Sequence, residues 1–341
     1  MLDSLLSLAK TYGPVFELYV FKKRFVVISD SELIKEILTK RPKYFRRQYN
    51  IIAPFEELGI AEHSLFTAEG STWRRLRRLL SAPFSKQNVN GMYPSVMEEI
   101  TRLLKSIEAS EGQRVENIGF TMMQFTLRTI LSVALNNVDI DDFFENSRLI
   151  RDVQALFSFI MEKSLTPLPH WLWKLYPPAV EKKAKEANAR LDKIIGRIVE
   201  NEKREMQKQD TSEPKNATKK KKSFIQVLLS ESNDIMDEAE GVVDSQDVSL
   251  TSEEVVANIK IMILAGSETT SVSLSWALYY LSIHKNFFDK AREEADLVLD
   301  GCSALGFSPS LPFCAACFKE VQRFKGAASI PGAGDMNNLS F

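Results

Sequence analysis

The sequence predicts a mainly α-helical fold with small β-sheets. Three observations support this. The longest apolar stretch, Leu250 to His284, places apolar residues at Val256, Ile259, Ile263, Leu274, Leu278 and Leu281, which is helical rather than strand spacing. Amphipathic helical patterns fill most of the chain on either side of it. Only the run from Pro14 to Ser29 is rich in β-branched and aromatic residues.

Composition narrows the classes of function. With 341 residues and 44% hydrophobic content the chain suffices for one large globular domain, residues 1–341. A net charge of -1 provides no basic field for nucleic acid, so no nucleic-acid partner is expected. Cys302, Cys314 and Cys317 are odd in number and too few for a disulfide framework, which fits a reducing compartment. Cys314 and Cys317 form C-x-x-C, but no second pair or His stands at zinc spacing. They are expected on one face of a buried helix, and no metal site is predicted. The N-terminus has no basic region followed by an apolar run of signal-peptide length. No stretch reaches the roughly eighteen uninterrupted apolar residues of a membrane span.

In chain order, Pro14 to Ser29 predicts a hairpin with its turn at Lys22-Lys23-Arg24, and Asp30 or Ser31 caps a short helix through Leu38. Tyr44 to Tyr49 leads into an irregular stretch reaching Leu65, where Pro54 and Gly59 predict a loop. Leu65 to Leu80 predicts a basic helix capped by Ser71 or Thr72. Pro94 to Leu135 predicts two helices broken at Glu111-Gly112, and Asp139 to Met161 a further one. Thr166 to Val180 carries Pro167, Pro169, Pro177 and Pro178 and cannot be regular helix throughout. Its aromatic residues suit core packing, a pocket roof or peripheral membrane contact. Glu181 to Lys208 predicts a charged helix, and 209–222 an exposed polar linker. Ser223 to Leu229 predicts a short helix, followed by an acidic loop through Val248. Asn286 to Asp300 and Leu311 to Lys325 predict the last two helices.

The chemistry concentrates in the long helix. Thr251 and Glu254 form a capping-box pattern at its start, and Leu250 can staple against Val255. At 1.5 Å per residue the stretch would span about 50 Å, so it must cross the middle of a large domain. Its apolar run is interrupted by Ala265-Gly266-Ser267-Glu268-Thr269-Thr270. Ala265 and Gly266 could leave a notch for a flat ligand, with Glu268 and Thr269 beside it to relay a proton. The plainer reading is a helix-packing glycine, with the hydroxyls bonded back to the preceding turn. On the basic helix, Trp73 and Arg77 stand at i and i+4 and present two donors suited to a carboxylate or phosphate. Arg74, Arg75 and Arg78 read as a solvated face. Glu320 and Arg323, three apart, can pair with each other or jointly with a third group.

The order and spacing of Trp73-x-x-x-Arg77, Ala265-Gly266-x-Glu268-Thr269-Thr270 and Glu320-x-x-Arg323 resembles the cytochrome P450 family. The two outer patterns are weak alone, whereas the hexapeptide inside a long apolar helix is specific. Tyr12-Gly13-Pro14, Leu65 to Gly70 and Lys319-Glu320-Val321 agree, and the resemblance runs from Tyr12 to Pro331. It implies the cytochrome P450 fold and a haem (heme) cofactor beneath the long helix. It also implies a haem-thiolate monooxygenase that inserts one atom of O2 into a small lipophilic organic substrate, with electrons from a reductase. In that family Trp73 and Arg77 would hold a haem propionate. Ala265 and Gly266 would border the oxygen site, Glu268 and Thr269 would deliver protons, and Ile261 would face substrate. Glu320 and Arg323 would form a buried structural ion pair.

The sequence also departs from the family. The F-x-x-G-x-R-x-C-x-G loop that carries the family's Cys ligand does not follow Glu320-x-x-Arg323, and no cysteine here has its surroundings. Gly326-Ala327-Ala328 replaces the polyproline step. The expectation is therefore a truncated P450 domain, with its C-terminal part and proximal ligand missing, inactive as it stands. The alternative is a non-catalytic remnant acting as a binding or regulatory helical protein. The resemblance implies the cytoplasmic side of the endoplasmic reticulum membrane, and with no transmembrane segment in the sequence a cytoplasmic location is the alternative.

Overall fold

The computed structural model describes residues 2–20, 23–40, 49–61, 63–109, 117–134, 148–166, 173, 175–212, 224–229, 250–299 and 310–326. Its helices are α1 (Leu2–Tyr12), α2 (Ser31–Lys40), α3 (Tyr49–Glu57), α4 (Gly70–Leu79), α5 (Lys86–Gly91), α6 (Tyr93–Glu108) and α7 (Ile118–Ala134). They continue as α8 (Arg148–Leu165), α9 (Ala179–Ser212), α10 (Phe224–Leu229), α11 (Ser252–Ile283), α12 (Lys285–Leu299) and α13 (Pro312–Phe324). One two-stranded sheet pairs β1 (Val15–Val20) antiparallel with β2 (Lys23–Ile28), with Val15 opposite Ile28 and Leu18 opposite Phe25. The mainly α expectation holds.

Several boundaries differ from the sequence reading, each for a physical reason. Lys23 and Arg24 belong to β2 rather than to the turn, because Arg24 pairs across the hairpin with Glu17. The stretch read as loop contains α3, with Pro54 in its second turn. Burial overrides the proline there: Ala53 and Phe55, and just beyond them Leu58 and Ile60, all enter the core. Gly59 ends this segment at φ +66°, a conformation glycine adopts without strain, and the Ile60 N–H closes on the Phe55 carbonyl at 2.8 Å. At the other end of the core, α9 runs to Ser212, four residues into the stretch read as linker.

The Glu111-Gly112 break, the start of the helix read from Asp139, most of Thr166 to Val180, the linker beyond Ser212, the acidic loop and the tail beyond Gly326 lie outside the described residues.

The core gathers around α11. Its most extensive packing is on α7, and α8 packs between α3 and α9. Leu156 and Phe159 of α8, Leu191 and Ile195 of α9, Leu127 of α7 and Leu76 of α4 are all sealed from solvent. The capping box forms: Thr251 Oγ1 accepts from the Glu254 N–H at 3.2 Å, and Glu254 Oε2 accepts from the Thr251 N–H at 2.9 Å. Satisfying both orphan donors fixes where α11 begins. Among the described residues, no helix is long and apolar enough to cross a membrane.

Candidate functional site

The polar hexapeptide stays helical because its hydroxyls turn back on the helix. Ser267 Oγ donates to the Ile263 carbonyl at 2.5 Å and Thr269 Oγ1 to the Ala265 carbonyl at 2.6 Å. The expected notch is closed on one side. A Cβ placed on Gly266 would stand 2.9 Å from Ile130 Cδ1, so α7 fills that space. Gly266 is a packing glycine, and no flat ligand can approach the backbone on the Ile130 side. Thr126 Oγ1 reinforces this face by donating to the Ser267 carbonyl at 2.9 Å. What remains open is Ala265, exposed, with Thr269 half-buried one turn later and Ile261 partly buried one turn earlier.

Glu268 is 8% exposed, and its carboxyl makes no hydrogen bond or ion pair among the described residues. Burial alone raises its pKa above the ordinary value of 4.5, because an uncompensated carboxylate is poorly solvated there. Such a group retains its proton to higher pH than a surface carboxyl and can give it up locally.

α4 begins after Glu69, which makes no side-chain cap, and Ser71 and Thr72 lie inside its first turn rather than capping it. Leu76 and Leu79 bury one side of the helix. Trp73, 36% exposed, and Arg77 stay at the surface, and neither side chain has a hydrogen-bonding or ionic partner among the described residues. Both side chains are exposed on the same helix, four residues apart. Arg75 departs from the solvated-face reading. It forks onto Glu254 in the first turn of α11, with Nη1 3.3 Å from Oε2 and Nη2 bonded to Oε1.

Glu320 and Arg323 do pair, Nε to Oε2 at 2.9 Å and Nη2 to Oε1 at 2.7 Å, but their side chains are 57% and 65% exposed. The expected buried pair is a surface pair, because α13 buries only Val321. For the same reason Cys314 and Cys317 are half-buried rather than on a buried helix. The Cys314 thiol donates to the Ala291 carbonyl at 3.5 Å, and the Glu294 carboxylate accepts the N–H groups of Phe313 and Cys314 at 2.8 and 2.9 Å. Burial, reinforced by Glu294, pushes both thiols up. Cys302 lies outside the described residues. Among the described residues no cluster of three or more His, Cys, Asp or Glu could hold a metal ion.

Sequence reasoning missed the polar residues on the buried side of α11. Asn258 bonds the chain at His63 and Leu65, and the Lys260 ammonium donates to the Leu58 carbonyl at 2.9 Å and to Asn188 Oδ1 at 3.0 Å, 2.6 Å from Asp192 Oδ1. The available signal was an amide and an ammonium embedded in a run of Val, Ile and Leu, where a polar group must find partners.

The cytochrome P450 family model matches residues 1–331. Similar proteins include LUTEIN DEFICIENT 5, chloroplastic, of Arabidopsis thaliana, 26% identical over 86% of this chain and 47% of that protein. Carnosic acid synthase of Rosmarinus officinalis is 28% identical over 96% of this chain and 64% of that protein. 2-Hydroxyisoflavanone synthase of Glycyrrhiza echinata is 27% identical over 94% and 59%. This chain therefore spans about half to two-thirds of the length of these relatives. Among solved structures, retinoic acid bound cyanobacterial CYP120A1 superposes with a TM-score of 0.67 at 18% identity, covering 94% of this chain and 64% of that one. The long helix with its Ala265 to Thr270 interruption, the donors on α4 and the match over 1–331 together establish that the chain belongs to the cytochrome P450 family.

Proposed function

We propose that this chain forms the oxygen- and substrate-facing side of a haem-dependent monooxygenase acting on a small lipophilic organic molecule, with electrons from a reductase. The observation that carries this reading is the buried Glu268 carboxyl, without a hydrogen-bonding or ionic partner among the described residues, next to Thr269 on the turn of α11 that leaves Ala265 exposed. A helix kept only for packing gains nothing from such a carboxyl, and perturbed titration of this kind concentrates at functional sites.

The residues present fit one side of a haem. Trp73 and Arg77 are exposed residues whose indole N–H and guanidinium have no partners among the described residues, a donor pair matched to a propionate. Cys314 is engaged beside α12 and Cys317 stands on the same helix, so no axial ligand is assigned among the described residues. When bound, haem supplies the reductive activation of O2 that places one oxygen atom in the substrate.

The chain's own residues then have distinct tasks. Trp73 and Arg77 hold the propionate. Burial raises the pKa of Glu268, so its carboxyl holds a proton to higher pH than an exposed one and is suited to deliver it. Thr269 donates its hydroxyl hydrogen to the Ala265 carbonyl, so its oxygen lone pairs are free to accept a hydrogen bond, and it donates toward the open side only when that hydroxyl rotates off the carbonyl. Ala265 keeps the approach to that turn small and apolar, and Ile261 borders the substrate. Location at the cytoplasmic face of the endoplasmic reticulum, with peripheral membrane contact, belongs to the same reading. Exposed Leu175 and Tyr176 ahead of α9 support that contact.

The test is a haem titration of the full chain followed by the spectrum of the reduced, CO-bound form. The expected result is saturable uptake, weakened about tenfold by Arg77→Leu or Trp73→Phe. A folded chain that takes up no haem overturns the reading.

A further inference from the structure

α4 is attached to α11 in a way that packing alone does not require. Arg75 lies two residues from both Trp73 and Arg77, so at about 100° per residue it projects from the opposite side of the helix. Its guanidinium forks onto Glu254, and the two side chains are 17% and 5% exposed. Glu254 Oε2 also closes the capping box on the Thr251 N–H. One turn further along α11, Asn258 grips the chain that leads into α4. Its Oδ1 accepts the Leu65 N–H at 2.9 Å, and its Nδ2 donates to the His63 carbonyl at 2.9 Å and to the Glu254 carbonyl at 2.7 Å. Ser64 and Thr67 then lock the intervening loop through their hydroxyls at 2.8 Å. The segment from His63 to Arg75 is thus held at both ends by residues one turn apart on α11.

Beyond Asn258, α11 runs unbroken to Ala265 and Thr269, about 10 and 16 Å further on. Leu76 and Leu79 bury α4, but apolar contacts tolerate sliding and rotation, whereas a forked guanidinium and an amide bonded on both atoms do not. We propose that Arg75, Glu254 and Asn258 are positioning residues that set where the Trp73 and Arg77 donors stand relative to the Ala265 and Thr269 turn. The proposal rests on the haem reading above and adds three residues that act through α4 rather than on the cofactor.

The test compares haem with haem dimethyl ester, which lacks the propionate charges, by Soret titration of the full chain. The wild type binds haem more tightly than the ester, by about tenfold, because Trp73 and Arg77 meet a propionate. In Arg75→Met, Glu254→Gln and Asn258→Ala that ratio falls toward one, and Arg75→Lys gives an intermediate value. Arg128→Met breaks an equally buried pair with Glu99 on α6 and α7, and leaves the ratio at the wild-type value. If both affinities fall together in Arg75→Met with the ratio unchanged, the pair is merely structural and the proposal is overturned. A wild-type ratio of one removes the donor role itself and also overturns it. If the wild type binds neither compound, the haem reading fails separately, and amide hydrogen exchange of the haem-free chain decides. Glu254→Gln then speeds exchange across residues 70–79 and not across 93–108. Unchanged exchange in α4 overturns the positioning claim.

Discussion

Gly266 of α11 and Ile130 of α7 are in direct apposition: a Cβ on the glycine would lie 2.9 Å from Ile130 Cδ1 and 3.0 Å from Cγ1. Gly266→Ala therefore sets a helix-propensity gain of about 1 kcal/mol against an overpacking cost of about 1–3 kcal/mol. The net expectation is destabilisation by about 1 kcal/mol, read from urea unfolding. In a double-mutant cycle with Ile130→Ala, which removes both Cδ1 and Cγ1, the penalty of Gly266→Ala should disappear. A stabilised single variant would show that α7 shifts freely, contrary to the close packing of the two helices.

Glu268 has its pKa raised by burial, so the folded chain binds its proton more tightly than the unfolded chain does. The sign follows. The folded state bears no penalty below the ordinary carboxyl value of 4.5, and loses stability as pH rises from there through the raised folded value. Glu268→Gln, neutral at every pH, should melt at a higher temperature than the wild type at pH 8. The difference should close as the pH is lowered toward 4.5. A difference independent of pH would mean the carboxyl is not titrating in its buried site.

Two ion pairs of similar geometry should behave very differently. Arg128 Nε meets Glu99 Oε2 at 2.9 Å with both side chains buried, so Arg128→Met leaves a buried carboxylate with Arg102 Nε at 3.6 Å as its remaining cation and costs about 3 kcal/mol. Arg323 and Glu320 pair on the surface, where water solvates either partner left alone. Glu320→Ala should leave the melting temperature unchanged, and its pair coupling in a double-mutant cycle should vanish in high salt.

Lys260 is buried, with its ammonium held by the Leu58 carbonyl, Asn188 and Asp192. Lys260→Met keeps the apolar stem but leaves the Leu58 carbonyl without this donor. The expected cost is about 1–3 kcal/mol by denaturant unfolding. The loss should be smaller than for Arg128→Met, because the Asp192 side chain is 41% exposed overall and its carboxylate keeps the Asn188 Nδ2 bond on its other oxygen at 3.2 Å.

Much of this architecture is legible from short-range chemistry. The start of α11 is written in Thr251 and Glu254, three residues apart, and the hairpin in one β-rich run. The pairing of Trp73 with Arg77 on one face follows from helical spacing alone. α3 was not legible, because Pro54 argues locally against a helix while the reason it forms is the burial of Ala53 and Phe55 in a core built from other segments. Glu320 and Arg323 were legible as a pair but not as a surface pair, since exposure depends on what lies beside α13.

The sequence by itself determined the helical class, the bounds of α11 and the family, because capping, periodicity and motif spacing act within a turn or two of the chain. Only the tertiary structure decided that Ile130 fills the space beside Gly266, that Arg75 reaches Glu254, and that Glu268 is buried without a partner among the described residues. Those outcomes depend on contacts between residues more than a hundred positions apart. Whether a carboxyl meets a guanidinium, a methyl group or nothing is set by how the helices pack, which local spacing does not specify.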